Sequence, residues 1–123
     1  ILDYYEFNTA RTEILDAFED VFEHCDIILS PTTCCLPPLN AKDGNTRGPD
    51  RINGQPVEPL IGFAETFLAN FTGHPAASIP AGFSESGLPI GLQIVGKKFK
   101  DEDIFAVAKT FEDLRPWRLS EDL

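Results

Sequence analysis

The side chains able to act as nucleophile, base or soft-metal ligand are few: Cys25, Cys34 and Cys35, with His24 and His74. A thiolate beside an imidazole could attack a carbonyl, and a mixed Cys/His set could hold zinc. The spacing favours neither. There is no C-x-x-C pair, no two of these residues stand at ligand spacing on one element, and three thiols make a poor disulfide framework. Adjacent Cys34 and Cys35 therefore read as packed thiols of a reduced, cytoplasmic environment. Among the serines, Gly82-Phe83-Ser84-Glu85-Ser86 misses the G-x-S-x-G elbow at its last position. Lys42, Lys97, Lys98, Lys100 and Lys109 all stand in loop-like or polar helical contexts that predict solvation. The residues thus predict no catalytic pair, no metal site and no cofactor.

The remaining polar residues have structural readings. His74, directly before Pro75, is expected to be packed and hydrogen-bonded rather than catalytic. Gln93, on an otherwise apolar or small strand, reads as a buried amide tied to backbone rather than a substrate contact. Asn70-Phe71-Thr72 matches a glycosylation sequon but reads as a turn, with Asn70, Thr72 and Gly73 satisfying backbone groups at a helix end. Asp101-Glu102-Asp103 reads as a helix start before it reads as a cation site.

Three helices and three short strands would position these residues. Ala10, Ile14, Ala17, Phe18, Val21 and Phe22 recur at three- and four-residue spacing, predicting an amphipathic helix from near the N-terminus to about His24. Ile27-Ile28-Leu29, stopped by Ser30-Pro31, predicts a short buried strand. From Thr32 to Pro59, prolines and glycines predict a long irregular loop, with a hairpin turn at Asn53-Gly54. Pro59 behind Glu58 suits the first turn of a second helix, ending near Asn70. Ala76–Ile79 and Leu88–Val95 predict two strands joined by the turn residues 83–87, and Gly91 is expected to admit another backbone. Asp101 is expected to cap a third helix bearing Ile104, Val107, Ala108, Phe111 and Leu114, stopped by Pro116.

The chain has 123 residues, 20 acidic and 10 basic, for a net charge of −10. That balance argues against a nucleic-acid partner, which would need a basic surface. No run approaches the ~20 apolar residues of a membrane helix. Ten Phe and 42% hydrophobic residues are enough to bury a core. The chain contains no Met and begins at Ile1, and it reads as part of a longer polypeptide.

Three stretches in order resemble the C-terminal part of the amidase signature family. The first is Cys25-Asp26-Ile27-Ile28-Leu29-Ser30-Pro31-Thr32 behind its helix. The second is Asn70-Phe71-Thr72-Gly73-His74-Pro75-Ala76-Ala77-Ser78-Ile79-Pro80-Ala81-Gly82. The third is Gly87-Leu88-Pro89-Ile90-Gly91-Leu92-Gln93-Ile94-Val95-Gly96, followed by the acid-capped helix and Arg115-Pro116-Trp117. The resemblance implies an α/β fold in which the chain forms a partial layer of a large mixed β-sheet flanked by helices. It also implies an amide hydrolase with a Ser–Ser–Lys triad and backbone donors for the oxyanion, and no cofactor or metal. In the family that triad lies in the N-terminal half. Ser30, Ser78, Ser84, Ser86 and Ser120 lie in no Gly-Ser-Ser-Gly-like turn, so no catalytic residue is transferred.

The resemblance implies pocket wall instead. In the family, the helix before the Asn-x-Thr-Gly-x-Pro turn borders the channel for the substrate's acyl or side-chain group, and the matching positions are Leu60, Phe63 and Phe67. Their spacing of three, then four, suits one helical face, and that face is either core or pocket. As pocket, it would favour an amide with an apolar or aromatic group. The expected partner is the N-terminal catalytic part of the same enzyme. The 32–59 loop reads as a site cover or a contact between copies, leaving a homo-oligomer open. Two alternatives stand beside the amidase: the glutaminase-type component of a tRNA-dependent amidotransferase, and a non-catalytic interaction module. The isolated segment is expected to be inactive.

Overall fold

The computed structural model describes residues 1–117 as three layers. The elements run α1 (Leu2–Phe22), β1 (Ile27–Pro31), β2 (Arg51–Ile52), β3 (Gln55–Pro56), α2 (Thr66–Thr72), β4 (Ala76–Phe83), β5 (Pro89–Gly96) and α3 (Asp101–Leu114). The main sheet has the order β1-β5-β4, and both pairings are antiparallel. The mixed character that the resemblance implies is therefore absent from the strands described in this chain.

Side-chain alternation along β5 sorts the layers. Ile94 faces α3, where it packs with Ile79 and Ile104 and with the half-buried Val107, Ala108 and Phe111. Val95 faces the other way, onto Phe22 and Ala69, with Phe18, Cys25 and Ile28 around them. Two small cores thus lie on opposite faces of one sheet. Buried hydrophobic residues among those described number six, against nineteen large apolar side chains on the surface. Much of the apolar stripe of α1 is among the latter: Phe22 is buried, but Val21 is 48% exposed. β1 departs from its expected burial in the same way, with Leu29 56% exposed.

α2 is shorter than periodicity predicts. Glu58 Oε2 accepts from the backbone N–H groups of Leu60 and Ile61 at 2.6 and 3.1 Å, and Gly62 N–H donates to the Glu58 carbonyl at 2.7 Å. Pro59 therefore does open a helical turn, but the turn does not propagate. Ala64 forms a bridge with Thr33, and Cys34 N–H donates to the Phe63 carbonyl at 2.8 Å. Those contacts hold the chain out of helical geometry until Thr66. The helix then ends at Gly73, which takes the left-handed conformation (φ 72°), with Thr72 Oγ1 donating to the carbonyls of Leu68 and Ala69.

The Asn53-Gly54 turn forms as its sequence predicts, with positive φ at both residues and β2 paired to β3. β4 runs past its expected end at Ile79 to Phe83, with an irregularity between Pro80 and Gly82. Pro80 is tolerated there because β4 is an edge strand of the described sheet. Asp101 is the first residue of α3 and Lys100 precedes it as N-cap, with no side-chain cap bond. The three acids still occupy the first turn, where the helix dipole favours them.

Candidate functional site

β5 is the axis on which the polar residues meet. Ser30, Gln93 and Ser78 share one register across β1, β5 and β4, so all three side chains project from the face that carries α1 and α2. Gln93 is buried, and its Nε2 donates to Ser30 Oγ at 3.1 Å. The expected backbone tie is thus replaced by a side-chain one, because the register sets a hydroxyl directly opposite the amide. One step along, Thr32 N–H donates to the Gly91 carbonyl at 3.0 Å, and Thr32 Oγ1 lies 2.6 Å from Ser78 Oγ. That hydroxyl pair crosses over Gly91. A Cβ at position 91 would lie 2.6 Å from Thr32 Oγ1 and 3.3 Å from Ser78 Oγ. Gly91 therefore admits two side chains rather than the backbone its position suggested.

No described serine has a base beside it. Ser30 and Ser78 are engaged as above. Ser84 Oγ accepts from Leu88 N–H and lies 2.9 Å from Ser86 Oγ, which closes the β4–β5 turn. Ser120 lies outside the described residues. The lysines are less idle than solvation predicts. Lys97 pairs with Asp26 at 2.9 Å, Lys98 with Glu19 at 3.1 Å and Lys100 with Glu102 at 3.5 Å, while Lys109 pairs with Asp113 one helical turn on. The Asp26 pair spans the ends of β1 and β5. Its hydrogen bond lowers the Asp26 pKa and raises that of Lys97. None of these ammonium groups is poised as a neutral base. Among the described residues, no group of three or more His, Cys, Asp or Glu could hold a metal ion.

Leu60, Phe63 and Phe67 do not share a helical face. Leu60 sits in the single turn behind Glu58 and is 58% exposed. Phe63 is half-buried, its ring laid over the backbone of Gly48, where any Cβ would collide with it. Phe67, on α2, stacks edge-on against Phe71 with ring centroids 5.6 Å apart. None of the three lines either of two grooves on the described surface. One groove runs along the N-terminal half of α1 beside Phe71. The other, of about 260 Å³, lies between residues 31–36 and 89–91 and includes Cys34, Cys35 and Thr33.

Cys34 is tied down: its Sγ donates to Glu65 Oε1 at 3.0 Å. That bond and burial push the thiol up to about 11. Sequence reading missed this pair, since residues 34 and 65 meet only through the Thr33–Ala64 bridge. It also missed the Ser30–Gln93 and Thr32–Ser78 bonds. Alternation marked those residues as sharing strand faces, but the register was needed to pair them. His74 is buried and hydrogen-bonded to Thr72, as its context predicts.

The comparisons with known proteins run the length of this framework. The glutamyl-tRNA(Gln) amidotransferase A-chain component of Thermodesulfovibrio yellowstonii is 37% identical over 98% of the chain and 23% of its own length. Its counterpart in Streptococcus pneumoniae (strain Hungary19A-6) is 40% identical over 89% of the chain and 20% of its own length. The chain thus spans about a fifth of the length of the curated relatives it matches. The crystal structure of a bacterial aryl acylamidase of the amidase signature family superposes with a TM-score of 0.85 at 45% identity, covering 89% of this chain and 22% of that one. The corresponding amidotransferase component of Thermotoga maritima superposes at 0.66 with 27% identity, over 94% and 23%. The Amidase family model matches residues 2–105, and the chain belongs to the amidase family.

Proposed function

We propose that this chain is the C-terminal portion of an enzyme that hydrolyses carboxamides to a carboxylic acid and ammonia. The Ser–Ser–Lys triad lies in polypeptide outside the chain, which is the principal partner of the segment. The observation that carries the reading is the match over residues 2–105, together with the close superposition on a bacterial aryl acylamidase. The triad chemistry needs neither cofactor nor metal. No described helix is long and apolar enough to cross a membrane, which fits the cytoplasmic setting we propose for the enzyme.

Within that enzyme the segment supplies apolar wall to the substrate's non-reacting end. Phe67 and Phe63 are the residues best suited to this, since both are half-buried and their rings are fixed by Phe71 and Gly48. Leu60, largely exposed in its turn, completes the set proposed from the resemblance. Phe67→Ala in the full-length enzyme tests this. The expected result is a several-fold loss of kcat/KM on bulky and aromatic amides with little change on small ones. An unchanged profile across the series removes Phe67 from the pocket.

A second reading is favoured by the names of the curated relatives: a glutaminase-type component working inside a tRNA-dependent amidotransferase. Purification of the full-length protein separates the two. Hydrolysis of simple or aryl amides by the protein alone supports the amidase, whereas glutamine-specific ammonia release with co-purifying partner chains supports the amidotransferase. Loss of neither glutamine nor any amide in the presence of full-length protein would leave the non-catalytic module.

A further inference from the structure

The ring of His74 lies where three elements meet. Its side chain is fully enclosed. Phe22 stacks on it with centroids 4.9 Å apart, and Phe18 lies at 5.4 Å. Nδ1 is 2.8 Å from Thr72 Oγ1. The Thr72 hydroxyl proton is already directed to the carbonyls of Leu68 and Ala69, so in the neutral ring Nδ1 carries the proton and donates it to Thr72. Nε2 then presents a lone pair, and this buried atom has no hydrogen-bond partner. What faces it, 3.7 Å away, is Glu19 Oε1. Two acceptors confront each other, an arrangement that a proton on Nε2 would turn into an ion pair. The same Glu19 oxygen is held from the other side by Lys98 Nζ at 3.1 Å.

We propose that Lys98, Glu19 and His74 form a pH-sensitive latch, in which Glu19 belongs to Lys98 while the ring is neutral and is shared with the imidazolium once the ring is protonated. Glu19 stands on α1, Lys98 follows β5, and His74 links α2 to β4, so the latch couples α1 to both strands. Glu19 and Lys98 are the charged groups that act on the ring, and they act with opposite signs. The rest of its surroundings are the two phenyl rings and the Thr72 hydroxyl.

Burial disfavours the imidazolium more than Glu19 favours it, and Lys98 opposes it further, so the pKa falls below the ordinary 6.5. The unfolded chain therefore takes up the proton first. This contribution to stability is complete above the unfolded pKa and drains away as pH falls through the folded one.

The test uses the full-length enzyme carrying this chain. Thermal unfolding is followed from pH 5 to 8, and the His74 ring is titrated by NMR with ¹³C-labelled histidine. The resonance is assigned through its Overhauser contacts to Phe18 and Phe22, so no histidine variant need fold. Lys98→Met removes the opposing cation, and is expected to raise the pKa and reduce the loss of stability on acidification. Glu19→Gln removes the attracting carboxylate, and is expected to lower the pKa and deepen that loss. Opposite displacements from two substitutions outside the ring are the signature of the latch. Displacements in the same direction, or none, overturn it. So does a wild-type ring that titrates at or above 6.5.

Discussion

The Cys34 thiol donates to the Glu65 carboxylate, and a proton held at about 11 is nearly absent from the nucleophilic pool at neutral pH. Against an ordinary thiol near 9, its thiolate is about a hundredfold scarcer. Cys35 lines the same groove and serves as an internal reference. Carbamidomethylation followed by mass spectrometry is therefore expected to label Cys35 well before Cys34. Glu65→Gln removes the charge that holds the proton and is expected to bring the Cys34 rate up. Equal rates in the unmodified protein would show that the bond does not persist in solution. At this scale the sequence identified types but seldom partners. Gln93 was legible as a buried amide, while Ser30 as its partner was not, because nothing local to either residue specifies a register 63 positions apart.

Among the elements, those defined by periodicity alone were legible. α1, α3 and β5 follow their 3.6- and two-residue patterns, and the Asn53-Gly54 turn follows from the left-handed conformations that pair accepts. α2 was not, because the bridge from Thr33 to Ala64 overrides a helical pattern that Leu60, Phe63 and Phe67 carry in full. The three residues taken for one face thus occupy a turn, a bridge flank and a helix. A tighter dependence is found at the crossing of β1, β5 and β4. Gly91→Ala would set a methyl group 2.6 Å from Thr32 Oγ1 and force apart the Thr32–Ser78 pair. Overpacking of this kind costs about 1–3 kcal/mol. Chemical denaturation of the full-length enzyme is expected to show a loss in that range. A variant as stable as its parent would mean that β1 slides to make room.

At the scale of the whole molecule, the balance between inside and outside is unusual for a free-standing domain. Six buried hydrophobic residues, divided between two sheet faces, accompany nineteen exposed large ones, and both β1 and β4 are edges of the described sheet. Large exposed apolar patches and unpaired edges favour association. The isolated 123-residue chain is therefore expected to be marginally stable or aggregation-prone, and inactive on any amide. Sedimentation, thermal melting and an ammonia-release assay would check this. A soluble monomer with a sharp two-state transition would contradict the first expectation, and measurable hydrolysis the second.

The Thr33–Ala64 bridge has a consequence for how such a chain can vary. The strand segment departs at Cys34 and the chain returns at Phe63, and the two points are stitched together by the 2.8 Å bond from Cys34 N–H to the Phe63 carbonyl. Everything between them is an excursion with a common doorway. Lengthening a flexible excursion raises its closure cost only slowly, roughly 0.6 kcal/mol per doubling. Evolution can therefore trim, extend or exchange that stretch as a cassette, retuning what it touches while the sheet beneath keeps its place.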